Sequence, residues 1–147
     1  MKSIHTTIDI DAPAARVWDV LTDLDDYPAW NPFMPVAEGV VQEGARLKVY
    51  IKPPGGTAMT FKPTVQRAET NRAFSWLGRL FISGLFDGEH IFELEALDAN
   101  RTRLVHRERF KGLLVPLLWN SLEGPTRAGF EAMNTALKAR AEGLVHS

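Results

Sequence analysis

The chain has 147 residues, 45% of them hydrophobic, and a formal net charge of −1. That is too apolar for a disordered chain and enough for a real core, and the near-neutral charge gives no electrostatic reason to expect nucleic acid. The absence of cysteine excludes disulfides, thiol catalysis and cysteine metal sites, and fits a reducing compartment.

Residues 4–10 alternate, with Ile4, Thr6, Ile8 and Ile10 on one side and His5, Thr7 and Asp9 on the other, which predicts a strand. Asp11-Ala12-Pro13 then opens a helix, Pro13 suiting the first helical position. Val17, Val20, Leu21 and Leu24 recur at helical spacing, and the helix is expected to end near Asp23. In the following loop, Pro28 and Pro32 limit regular structure to a short helical turn. Tyr27, Trp30 and Phe33 are too much aromatic area to leave wet, so this loop should cover something.

Residues 36–41, 47–52, 59–69 and 72–80 read as four strands separated by polar and Gly/Pro turns. Pro63 interrupts the third and marks an edge or a bulge. Two further strands surround Asp98-Ala99-Asn100. In the first the even positions are Phe86, Gly88, His90, Phe92 and Leu94; in the second they are Leu104, His106, Glu108 and Phe110. This even face is the apolar one and should point inward. The odd face is acidic on one strand and basic on the other. A hairpin register that sets Glu95 opposite Arg103, Glu89 opposite Arg109 and Asp87 opposite Lys111 gives the most cross-strand charge pairs. It predicts a three-residue loop with Asn100 in the left-handed conformation, and it places His90 opposite Glu108 on the inner face.

The apolar segment Leu113 to Trp119 is too short to span a bilayer and reads as a mouth, a lid, a dimer contact or a tucked-in helix lead. Gly124-Pro125 is expected to open a last helix reaching about Glu142, with Phe130, Met133, Asn134, Leu137 and Ala141 on one stripe and Gly143 as its cap. No apolar run approaches about 20 residues. The opening MKSIHTTIDIDAP lacks the apolar stretch of a signal peptide. A soluble, cytoplasmic protein with no membrane span is therefore expected. The order of elements implies an α+β domain over residues 1–147, in which only the last helix is long enough to cover the apolar sheet face.

The opening strand and helix with Val17-Trp18-Asp19-Val20-Leu21-Thr22-Asp23, followed by Tyr27-Pro28-Ala29-Trp30-Asn31-Pro32, resemble the helix-grip superfamily of START lipid-transfer domains, birch-pollen-allergen-like proteins and polyketide cyclase/dehydrase-like SRPBCC proteins. Gly88 to Leu94, His106 to Gly112 and the stretch from Gly129-Phe130 to Lys138 are similar to its small bacterial members. The resemblance covers essentially the whole chain. It implies a helix-grip fold, a curved antiparallel sheet of about seven strands wrapped around a long C-terminal helix with a short helical pair after the first strand. It also implies a deep apolar pocket between sheet and helix. Fold does not fix chemistry, and the family includes binders, carriers, cyclases and co-chaperone modules.

His90 and Glu108 have the residue types of an acid–base pair, and equally of a hydrogen-bonded polar pair that fixes register. Trp30, Phe33, Trp76, Phe92, Phe110, Phe130 and Met133 are candidate pocket walls, about half of them expected to touch the cavity. His106 and Asn134 are further polar candidates. A zinc site from His90, His106 and Glu108 has the right ligand types but no recognised spacing, and no Gly-rich phosphate loop is present. No metal and no cofactor is expected. The leading expectation is binding of a small hydrophobic molecule. A cyclase or dehydrase with Glu108 as base and His90 as acid or orienting partner is the alternative, and a protein-interaction module the third reading. A homodimer through Leu113 to Trp119 is a further partner expectation.

Overall fold

The computed structural model describes residues 2–80 and 82–143. Strand β1 (Lys2–Ile10) leads through Pro13 into helix α1 (Ala14–Thr22), whose buried face is Val17, Trp18, Val20 and Leu21. Pro13 is the residue before the first helical turn rather than within it, and its carbonyl accepts from the Val17 amide at 3.1 Å. A single turn of 3-10 helix and the short helix α2 (Tyr27–Trp30) follow. Tyr27 is fully buried and its hydroxyl donates to the Leu21 carbonyl, so burial, reinforced by Asp23, holds its pKa far above the ordinary phenol range.

Among the described residues eight strands form. Strands β2 (Val36–Glu38), β3 (Lys48–Ile51) and β4 (Met59–Phe61) make a small antiparallel sheet. Strands β5 (Thr64–Glu69), β6 (Ala73–Leu80), β7 (Phe86–Asp98) and β8 (Arg101–Lys111) join β1 in a five-stranded sheet ordered β1-β8-β7-β6-β5. The main sheet thus has fewer strands than the seven expected. The reason lies at Lys62-Pro63. Proline cannot donate to a ladder, so the expected strand over residues 59–69 divides into β4 and β5, and the two sheets are joined at the isolated bridge Arg46–Thr64 and the backbone hydrogen bonds around it. Strand β5 is the sheet edge and carries an irregularity between Val65 and Arg67.

The hairpin register is the expected one, with Asp87 opposite Lys111, Glu89 opposite Arg109, His90 opposite Glu108 and Glu95 opposite Arg103. Pairing β1 to β8 and β6 to β7 preserves parity, so Ile4, Thr6, Trp76, Gly88, His90, His106 and Glu108 share one face. Two details differ. The register shifts between Ala96 and Asp98, leaving a two-residue turn, and among the described residues the non-glycine residue with positive φ is Asn71, at 64°, not Asn100. The Asp98 side chain accepts from the Asn100 amide at 2.8 Å and holds the turn without a left-handed residue. On the outer face Glu89 pairs with Arg109 at 2.6 Å and Glu93 with Arg107 at 3.0 Å. Arg103 turns to Asp9 on β1 at 2.8 Å, although Glu95 lies opposite it, and Asp87 pairs with Arg79 at 3.6 Å, although Lys111 lies opposite it.

The last helix, α3, spans Val115–Ala141 and begins about two and a half turns before the start expected at Gly124-Pro125. The segment Leu113 to Trp119 is therefore its lead-in and first turn, with Pro116 in the first turn, where a missing amide is harmless. Pro125 lies inside the helix. The carbonyl left without its partner is that of Ser121, an exposed residue, so water can satisfy it. Gly143 takes φ 71° just past the helix, as a cap. The C-terminal turn is bolted to α1 by Arg16, which donates to the carbonyls of Ala141 and Arg140 at 3.2 and 3.1 Å.

Gly129 is where α3 meets the loop after α2. A side chain there would run into the Phe33 ring. Phe33 is itself held by Asn31, whose side-chain oxygen accepts from the amides of Phe33 and Met34 at 3.1 and 2.9 Å. Replacing Gly129 by alanine is expected to lower stability by about 1–3 kcal/mol through overpacking; urea denaturation at constant slope measures it, and an unchanged midpoint would show that Phe33 moves freely.

Candidate functional site

The inner face of β6, β7 and β8 has a gap in it. Gly78 and Gly88 face each other across β6 and β7 and contribute no side chain. A Cβ at Gly88 would collide with the Glu108 carboxylate, so the bare position is what gives Glu108 its room. Glycine within a strand marks such close approaches; Gly88 sat on the predicted inner face, and this signal was available in the sequence.

Above the gap lies a cavity of about 110 Å³. Its sheet wall is Trp76, Gly78, Leu80, Phe86, Gly88, His90, Glu108 and Phe110; α3 contributes Leu122 and Thr126. Phe33 closes one side. Sequence reasoning missed the wall made by the small sheet and its turn, namely Ile51, Pro53, Thr57, Met59 and Phe61. These residues come from two short strands, β3 and β4, and the turn between them, and the placement of that hairpin follows the break at Pro63, which no local periodicity reports.

Of the eleven candidate residues, Phe33, Trp76, His90, Glu108 and Phe110 line the cavity. Trp30 packs edge-on against Tyr27, ring centroids 5.2 Å apart, and lies off the cavity. Phe92, His106, Phe130, Met133 and Asn134 are buried beneath or beside it as core. Inward parity is shared by both groups; what separates them is that Phe130 of α3 lies flat on the His106 ring, centroids 4.0 Å apart at 6°, and closes that region.

His90 and Glu108 face each other across β7 and β8, with His90 Nδ1 3.4 Å from Glu108 Oε1. His90 is 1% exposed and the Glu108 side chain 17%. The other edge of the His90 ring meets a second histidine: Nε2 of His90 and Nε2 of His106 are 2.6 Å apart. His106 Nδ1 lies 2.7 Å from Asn134 Oδ1 on α3, and Asn134 Nδ2 donates to Thr6 Oγ1 on β1 at 2.9 Å. Thr6 donates in turn to the His106 carbonyl at 2.8 Å. Trp76, Phe92 and Phe130 enclose the two imidazoles. Burial, with the neighbouring His90, pushes the His106 pKa well below the usual histidine range despite the bond to Asn134, so His106 is neutral. Among the described residues no group of three or more His, Asp or Glu side chains is arranged to hold a metal ion. The two Nε2 atoms that a zinc ion would need point at each other.

A sheet wrapped on one long C-terminal helix, with a short helical pair after the first strand, defines a helix-grip architecture. The chain matches the profile of the family described as polyketide cyclase / dehydrase and lipid transport over residues 1–145, and it belongs to that family. No curated protein is significantly similar to it in sequence. Among solved structures it is similar to the Zhui aromatase/cyclase from Streptomyces sp. R1128, with 20% identity, TM-score 0.79, and coverage of 99% of this chain and 96% of that one. A START superfamily protein from Mycobacterium smegmatis is 21% identical with TM-score 0.75, covering 97% and 99% of the two chains. Norcoclaurine synthase from Thalictrum is 14% identical with TM-score 0.73, covering 97% and 95%. At these identities the likeness establishes the fold. No helix among the described residues is long and apolar enough to cross a membrane.

Proposed function

We propose that residues 1–147 act as one domain that binds a small hydrophobic or aromatic molecule in this cavity, with Glu108 and His90 as its polar end and Phe33, Trp76 and Phe110 among its walls. The observation that supports this reading is the composition of the cavity: among the described residues that line it, Glu108 and His90 are the ionisable ones, set in an otherwise largely apolar wall. Ligand sites combine apolar lining with a few placed polar groups in this way. An apolar cavity of about 150 Å³ holds benzene; the space here, about 110 Å³, is smaller, so even a single ring would need a wall to give slightly. A longer ligand would need the turn around Pro53 to Thr57 to move, since that wall is neither sheet nor helix. Native mass spectrometry of the purified protein tests the reading. A bound mass of roughly one to a few hundred daltons is expected; a clean apo mass together with no thermal stabilisation by a panel of aromatic compounds would count against it and favour an interaction module.

A second reading, a cyclase- or dehydrase-type enzyme, is favoured by the adjacency of carboxylate and imidazole in the cavity wall. Zhui is an aromatase/cyclase and norcoclaurine synthase is a synthase on the same fold. Glu108 would act as base and His90 as acid or orienting partner. The variant Glu108→Gln separates the readings. A binder keeps most of its affinity, whereas general-base turnover falls by about 10²–10⁴-fold; equal turnover in the variant would exclude the base role.

A further inference from the structure

The polar chain beneath the cavity has only one consistent arrangement of protons, and it begins at a backbone carbonyl. The His106 carbonyl can only accept, so the single proton of the Thr6 hydroxyl is committed to it. Thr6 Oγ1 must then accept from the Asn134 amide nitrogen. That orients the Asn134 side chain and turns its oxygen to His106 Nδ1, which must therefore carry a proton. A neutral imidazole with a proton on Nδ1 has a bare Nε2. The contact of 2.6 Å to His90 Nε2 then requires the proton to be on His90. His90 is left with Nδ1 as its one exchangeable position, and that atom faces Glu108 across 3.4 Å.

We infer that Thr6, His106 and Asn134 are positioning residues that lock the His90 ring with a proton on Nε2, so that Nδ1 is the nitrogen His90 turns to Glu108 and the cavity. The inference rests on the reading of that pair as the polar end of the ligand site. None of the three residues lines the cavity. The chain is a lock and not a proton wire. A wire needs every link to donate and accept in alternation, and the Asn134 amide cannot exchange the roles of its oxygen and nitrogen without rotating against Thr6. The enclosing rings serve the same end: Phe130 and Phe92 hold the His106 plane, and Trp76 holds that of His90. This also accounts for a polar asparagine on the buried stripe of α3, where an apolar side chain would pack as well.

Long-range proton–nitrogen correlation spectra of protein labelled with ¹⁵N-histidine read the tautomers directly, without ligand. In the natural protein His106 is expected to show a protonated Nδ1 and a bare Nε2, and His90 a protonated Nε2. A His106 with its proton on Nε2 would overturn the proposal with no variant needed. Thr6→Val removes the hydroxyl at nearly constant volume, and both histidines are expected to show mixed tautomers. Thr6→Ser restores the hydroxyl and is expected to return the natural spectrum. Unchanged tautomers in a folded Thr6→Val protein would overturn the lock, as would a failure of Thr6→Ser to restore it. A protein that binds no ligand but shows these tautomers would refute the proposed function and leave the lock standing; the reverse result would do the opposite.

Discussion

Replacing Phe130 by alanine is expected to destabilise the protein by about 3–5 kcal/mol, the range for truncating a large buried aromatic. Phe130 is fully buried on α3, and its ring is used on two sides. It stacks on His106 and meets Phe33 edge-on, centroids 5.7 Å apart at 63°. Loss of the ring would remove the lid from the His90–His106 pair and join that space to the cavity. The void could not collapse readily, since the sheet beneath is held by β1, β7 and β8 on both sides of His106. Urea denaturation followed by two optical probes would measure the loss. A cost under about 1 kcal/mol would mean that α3 settles onto the sheet without it. The same variant is expected to bind larger aromatic compounds than the natural protein, which a thermal-shift panel would register.

Acidification is expected to weaken the fold through His106. In the unfolded chain this histidine takes up a proton near pH 6.5; in the folded protein, buried beside His90, it does not. Below that value the unfolded state binds more protons than the folded one, so stability falls as pH falls. The slope from one such group is about 1.4 kcal/mol per pH unit, and it persists until the depressed folded value is reached. Well above pH 6.5 the ring is neutral in both states and contributes no dependence. Measuring stability about one unit above and about one unit below that value, in the natural protein and in His106→Leu, isolates the contribution. The variant is expected to lose the slope even if it is less stable throughout. An equal slope in both would assign the acid sensitivity to other groups.

The pairing of His90 with Glu108 was legible because strand periodicity is strict. A slip of one residue would have turned every apolar side chain of β7 and β8 to water, so parity together with the charge pairs left little choice of register. The family was legible for a related reason: the opening helix, the aromatic turn around Trp30 and the stripe on α3 are local patterns. The helix start was misjudged because Gly124-Pro125 carries a strong local stop signal. The tertiary fold overrides it by leaving the orphaned carbonyl of Ser121 exposed.

What the sequence by itself determined was which residues turn inward: Trp76, His90, Phe92, His106, Glu108 and Phe110 all follow from a period of two. Whether an inward residue meets a cavity or a packed core was decided by the layer above the sheet. Phe130 lands on His106 and seals it, while Gly78 and Gly88 leave space beside Glu108 that Phe33, the small sheet and Leu122 enclose without filling. The His90–His106–Asn134–Thr6 chain is likewise a product of tertiary structure. Its members come from β7, β8, α3 and β1 and are joined by contacts of 2.6–2.9 Å. Periodicity reports the direction of a side chain from its own strand; a hydrogen bond depends on the distance between two elements, and only the packing of helix on sheet sets that.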